Sequence, residues 1–152
     1  MRPATTFSVT EYGYDTLGRL QCIAVRMNPA TFADPPGDAC ALKAEGPDGP
    51  DRIARNVHDA AGQRLQLREG WRTGWEAAEA SWAYNSNGQV ATVVDGNGNR
   101  AELRYDRHGR QERWVFPSAT RPSSFDDSTP ATALASAGAV NEADFEQYGW
   151  DA

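Results

Sequence analysis

With 152 residues the chain has the length of one ordinary domain, but Leu, Ile, Val and Phe together number only 22, about 14% of it, below the roughly 20% at which disorder becomes a serious reading. Five Trp and five Tyr partly offset that deficit, and aromatic side chains on a poor aliphatic background suit pleated, half-exposed strands. The net charge of -6, from 21 acidic and 15 basic residues without a basic block, argues against nucleic acid as a partner. The one sustained small-apolar stretch, Ala131 to Val140, is about half of what a membrane-crossing helix needs, so no membrane span is expected.

In chain order, Met1 to Phe7 has no apolar core of the kind a secretory leader carries, and no signal peptide is expected in this chain. The first hairpin is then read from Glu11-Tyr12-Gly13-Tyr14-Asp15-Thr16-Leu17-Gly18-Arg19-Leu20. Tyr12 and Tyr14 alternate as same-face strand residues. Asp15 suits the start of a type I turn because its carboxylate accepts from backbone amides just ahead, and Gly18 can take the positive φ that closes the loop.

Cys22 and Cys40, the only cysteines, bracket a stretch with Pro29, Pro35, Pro36 and Gly37, followed by Gly46-Pro47-Asp48-Gly49-Pro50. This is loop chemistry, predicting an insertion from Cys22 to Pro50. Two cysteines without nearby His are too few for structural zinc, which leaves a loop-closing disulfide or two buried thiols.

The turn grammar recurs at Asp59 to Gly62, following His58, and at Asn85 to Gly88, following Tyr84. It recurs again at Asp106 to Gly109, following Tyr105. Asn85 and Asp106 lie 21 residues apart, a spacing typical of stacked architectures, whereas Asp15 and Asp59 lie 44 apart and enclose the insertion. Between the second and third copies, Gly70 to Ala80 holds Trp71, Trp75 and an Ala/Glu run, compatible with a helical turn, an irregular connection or an aromatic flap. Asp95-Gly96-Asn97-Gly98-Asn99 spaces oxygen ligands like half of a calcium loop, but Arg100 stands where such a loop needs Gly, so a plain turn between two strands is the reading adopted.

Residues 117–144 are rich in Ser, Thr, Pro, Ala and Asp without a period, predicting a flexible linker. A further repeat begins at Phe145-Glu146-Gln147-Tyr148-Gly149-Trp150-Asp151-Ala152. The expected domain plan is therefore a repeat segment over 1–116, the linker, and the start of a repeat over 145–152.

These segments resemble the YD repeats of the Rhs family of bacterial polymorphic toxins and wall-associated proteins. Their pattern is close to Y-x-Y-D-x-x-G-R-L, matched by Tyr12, Tyr14, Asp15, Gly18, Arg19 and Leu20. The second copy departs at His58 and Gln63, the third at Asn85. The resemblance implies an all-β array of antiparallel hairpins, an open piece of a larger β-shell with irregular loops, whose partners are further YD repeats of the same or a parent chain. It also implies that the parent protein is secreted or surface-displayed. Pro29 to Gly37 is similar to the P-x-x-x-x-D-P-x-G motif that closes the Rhs core, but Asp38 replaces the usual Leu and three repeats follow, so a proline-rich surface loop is the reading adopted.

His58 and His108 are the only histidines and belong to the repeat pattern, while Asp15, Asp59 and Asp106 recur because the turn needs them. No catalytic residue, metal site or cofactor is expected. The leading expectation is a structural, non-enzymatic repeat segment used in interbacterial competition. A second is a carbohydrate-binding module of cell wall or capsule, with exposed Trp71, Trp75, Trp82 and Trp114 stacking on sugar rings, Trp71 and Trp75 foremost. A third is a truncated gene product without a function of its own, loosely folded or self-associating because its outer strands expose unpaired edges.

Overall fold

The computed structural model describes residues 8–34 and 37–151. Met1 to Phe7, Pro35 and Pro36 of the proline-rich motif, and Ala152 lie outside the described residues. Nine strands follow one another in chain order: β1 (Val9–Tyr14), β2 (Leu20–Arg26), β3 (Arg52–His58), β4 (Arg64–Glu69), β5 (Ala77–Tyr84), β6 (Val90–Asp95), β7 (Arg100–Tyr105), β8 (Gln111–Pro117) and β9 (Val140–Gln147). They form one nine-stranded sheet in which spatial order equals sequence order. The described ladders are antiparallel, as hairpin connections require. One α-helix, α1 (Pro130–Ser136), precedes β9. The all-β, open-sheet expectation therefore holds.

The chain divides into two compact units, the first made of the residues up to Val57 with Leu67–Ala77, the second of His58–Gln66 with the residues from Ala78 onward. In the first unit the period of two along β2 turns Cys22, Ala24 and Arg26 to the same, buried side. Cys22, Ala24 and Ile53 form a small apolar cluster with Ala39 and Cys40 from the insertion, flanked by Leu42 and Trp71. Arg26 is 3% exposed, and a buried guanidinium needs partners. It donates to Asp51 at 2.7 Å, to the Ala41 carbonyl at 2.7 Å and to Glu11.

Asp51 also accepts from the backbone N–H groups of Met27 and Lys43, both at 3.0 Å. Burial works against its charge, but those amides and Arg26 outweigh it and hold the carboxyl below the usual range. This cluster sets the true bounds of the insertion. The strand runs on through Cys22 to Arg26, so the connection between β2 and β3 begins at residue 27 and not at Cys22.

In the second unit Val94 and Val115 are fully buried, together with Ala78, Ser81, Gln66 and Ala133 of α1. The predicted flexible linker over 117–144 differs from what is observed: it carries α1 and the first half of β9. Its Ser, Thr and Pro residues serve as helix punctuation. Thr129 is the N-cap, reciprocally bonded with Thr132, and Pro130 opens the first turn. The segment is tied down by backbone groups that sequence periodicity does not register. Gln66 donates to the Asp127 carbonyl at 3.1 Å, Arg100 donates to the Leu134 carbonyl, and the Gly138 N–H donates to Gly98 at 2.9 Å.

The Ala/Glu run after Trp75 is likewise not helical. Ala77 to Ala80 opens β5, because alternate residues there are buried and exposed, with Ala78 at 3% exposure. Among the described residues no helix is long and apolar enough to cross a membrane.

Candidate functional site

The recurring feature is a five-residue turn, best seen at Asp15-Thr16-Leu17-Gly18-Arg19. The Gly18 N–H donates to the Asp15 carbonyl at 2.9 Å and the Asp15 N–H to the Arg19 carbonyl at 2.9 Å. The Asp15 carboxylate accepts from the N–H groups of Leu17 (2.9 Å) and Arg19 (3.0 Å), and the Arg19 guanidinium closes on its other oxygen at 2.6 Å. Gly18 has φ +75°, a conformation that costs any residue with a Cβ.

The same backbone pair recurs at Asp59/Gln63 with Gly62, at Asn85/Gln89 with Gly88, and at Asp106/Arg110 with Gly109. All three glycines have positive φ. It also occurs at Asp95/Asn99 with Gly98, the segment weighed above as a calcium loop. There both carboxylate oxygens are engaged within the turn, by the Asn97 and Asn99 amides and by the Asn99 side chain at 2.7 Å.

The electrostatics follow from this geometry. The Arg19 N–H holds Asp15 below the usual carboxylate range and the Arg110 N–H does the same for Asp106, each helped by the arginine side chain. At Asp95 burial pushes the carboxyl up, but the Asn99 side-chain and backbone donors outweigh it and the net direction is down. These are carboxylates fixed in the charged form as turn acceptors, the opposite of what a proton-transferring acid needs.

Three copies are joined to the one before by the aromatic residue ahead of the opener, at Tyr84, Tyr105 and Trp150. Tyr84 donates its hydroxyl to the Arg64 carbonyl at 2.8 Å, and Tyr105 donates to the Val90 carbonyl at 2.6 Å. Burial raises the Tyr105 hydroxyl above its ordinary pKa. Trp150 donates its indole N–H to the Gln111 carbonyl at 2.8 Å. Arg64, Val90 and Gln111 occupy one equivalent position, the fifth residue after the openers Asp59, Asn85 and Asp106. A second link uses glutamine: Gln89 donates to the Gly109 carbonyl of the next turn at 2.6 Å, and the Gln63 amide lies beside Gly88. Where arginine replaces glutamine, as at Arg19 and Arg110, the side chain folds back onto its own aspartate.

The terminal aromatics differ from the internal ones. Tyr84 and Tyr105 are half-buried, whereas Tyr14 is 62% and Trp150 53% exposed. Beside Trp150 lies an open groove of about 270 Å³ lined by Gln111, Tyr148 and Trp150.

Cys22 and Cys40 are joined as a disulfide. The two tryptophans singled out from the sequence are placed differently. Trp71 packs against the first unit's apolar cluster, with the Arg55 guanidinium 3.9 Å from its ring centroid. Trp75 is 76% exposed, on a turn braced by Glu76, which accepts from the Arg72 N–H at 2.9 Å and from Arg68 at 2.7 Å. Among the described residues no three His, Cys, Asp or Glu side chains are grouped to hold a metal ion.

Sequence reasoning read Asp95 to Asn99 as a turn but not as a further copy of the repeat turn, and it missed the ladder role of Trp150. Laying Tyr148-Gly149-Trp150-Asp151 over Tyr12-Gly13-Tyr14-Asp15 was the signal available for the second. Compared with protein-family models and with curated proteins, the chain matches none.

Proposed function

We propose that this chain is a non-catalytic structural segment of an Rhs-type repeat protein, building part of a β-shell or surface array in interbacterial competition. The observation that carries the proposal is the ladder of aromatic donors onto the preceding turn, repeated at Tyr84, Tyr105 and Trp150. It makes each hairpin a docking template for the next, so the sheet is a growing array whose partners are further repeats. The exposed Tyr14 and Trp150 and the groove beside Trp150 mark where neighbouring hairpins attach. The buried disulfide favours a parent protein that is secreted or displayed at the cell surface, where such bonds persist.

The test is a concatemer in which Asp151 is followed directly by Thr16 onward. That join recreates the Asp-Thr-Leu-Gly-Arg turn and supplies β9 with a return strand. The expected result is one cooperative transition above the Tm of the single chain, with Trp150 shielded from an aqueous quencher. Two halves melting at the single-chain Tm with Trp150 still accessible would overturn the reading.

A second reading, sugar stacking, rests on Trp75 alone, since its face is open while the Trp71 ring is covered by Arg55. It predicts that Trp75→Ala abolishes binding to peptidoglycan or capsule fragments without changing the β spectrum. Absence of binding by the parent chain would dismiss it.

A further inference from the structure

We propose that residues 37–51 are a redox-locked strap: the Cys22–Cys40 bridge decides whether this segment stays down on the first unit's strands, and the lock closes only where disulfides form. Among the described residues between β2 and β3 there is a 3-10 turn at Pro29–Thr31 and an isolated bridge between Gly46 and Gly49, but no strand paired with the sheet. The strap is held by the bridge to β2 and by Arg26, which donates to the Ala41 carbonyl at 2.7 Å, while Asp51 accepts from the N–H groups of Met27 and Lys43, both at 3.0 Å.

The bridge is central to what little core the unit has. Cys22 is 0% and Cys40 8% exposed, and the cluster around them contains Ile53 as its only large fully buried aliphatic side chain. The strap lies close against the sheet beside it, since a Cβ built on Gly13 of β1 would come 3.0 Å from the Ala39 Cβ. With so little apolar area to hold Ala39 and Leu42 in place, the bridge is the covalent anchor beside the hydrogen bonds at Ala41 and Lys43, and removing it restores the loop entropy it suppresses.

The chemical step is a thiol–disulfide exchange with a dithiol reductant. The reductant closes to its cyclic disulfide, its two electrons and two protons pass to the cysteines, the S–S bond breaks and two thiols form. Arg26 is untouched by this step. Its ion pairs with Asp51 and Glu11 remain, while its bond to the Ala41 carbonyl and the bond from the Lys43 N–H to Asp51 break as the strap lifts.

The sequence supplies a reporter. Lys43 is the only lysine of the chain, three residues beyond Cys40, and its N–H is held by Asp51 at 3.0 Å. A lysine-specific endoprotease therefore cuts the native protein only in the strap, at a rate that follows strap opening. The experiment compares that rate on the full chain with and without dithiothreitol, alongside thiol titration and amide hydrogen exchange. Reduction is expected to raise the rate about tenfold to a hundredfold while protection of β6 to β8 is unchanged. A Cys22→Ser/Cys40→Ser variant is expected to cut at the fast rate in either condition. An unchanged rate with both thiols titratable overturns the proposal. So does faster cutting with equal loss of protection in β6 to β8, because the bridge would then hold the whole chain and not a strap.

Discussion

The two long insertions, residues 27–51 in the first unit and 118–139 in the second, are similar in length and both aperiodic, but are held by opposite means. The first is fastened by side chains: a disulfide and a buried arginine with two carboxylates. The second is fastened largely through its backbone, whose carbonyls at Asp127 and Leu134 and amide at Gly138 meet Gln66, Arg100 and Gly98. The difference teaches that an aperiodic segment needs no pattern of its own if the neighbouring sheet offers partners. It also makes the first insertion sensitive to single side-chain changes and the second to the close approach of backbones.

The largest effect expected from that contrast is at Arg26. Replacing it by Ala leaves Asp51 buried at 1% side-chain exposure without its countercharge, a loss on the order of 3–5 kcal/mol. Chemical denaturation measures it, and a loss under about 1 kcal/mol would break the view that side chains anchor the first insertion. Next comes a pair of glycines in the same kind of turn. Gly98→Ala meets both a positive φ of 80° and the ring of Phe125 at 2.8 Å, whereas Gly18→Ala meets a φ of 75° and open space. The Gly18 variant is expected to lose about 1 kcal/mol and the Gly98 variant clearly more. Equal losses would mean that segment 118–139 does not press on the turn.

Within the ladder, Tyr105→Phe removes one hydrogen bond to a half-buried carbonyl and is expected to cost about 1 kcal/mol. The same change at Tyr14, exposed and outside the observed ladder, is expected to shift the midpoint by less than about 0.5 kcal/mol. The smallest effect is with pH. The carboxyl groups of Asp15, Asp95 and Asp106 are all held below their ordinary values. Their contribution is therefore complete above about pH 4 and fades as pH falls through the depressed folded values. Protection of the Gly18, Gly98 and Gly109 amides from hydrogen exchange, relative to their intrinsic rates, is expected to fall there, while that of Gly88, whose turn is opened by the non-titrating Asn85, should not follow.

The turns were legible because their chemistry is local. An acceptor side chain, a glycine four positions into the turn and a flanking aromatic all act within a few residues, so Asp15 to Gly18, Asp59 to Gly62, Asn85 to Gly88 and Asp106 to Gly109 could be read directly. The strand at Ala77 to Ala80 was ambiguous because Ala and Glu carry helical propensity, which burial of Ala78 overrides. The helix at Pro130–Ser136 was hidden for the converse reason: in so short an element the capping Thr129 outweighs periodicity.

By itself, then, the sequence determined the all-β class and the place of the four turns read from it, because those depend on backbone preferences that each residue carries wherever it sits. Only the tertiary structure decided the pairing of Cys22 with Cys40, the burial of Arg26 among Glu11 and Asp51, the covering of Trp71 and exposure of Trp75, and the docking of Trp150 on Gln111. Those depend on which distant groups the sheet brings within hydrogen-bonding or bonding reach, and no spacing along the chain encodes that distance.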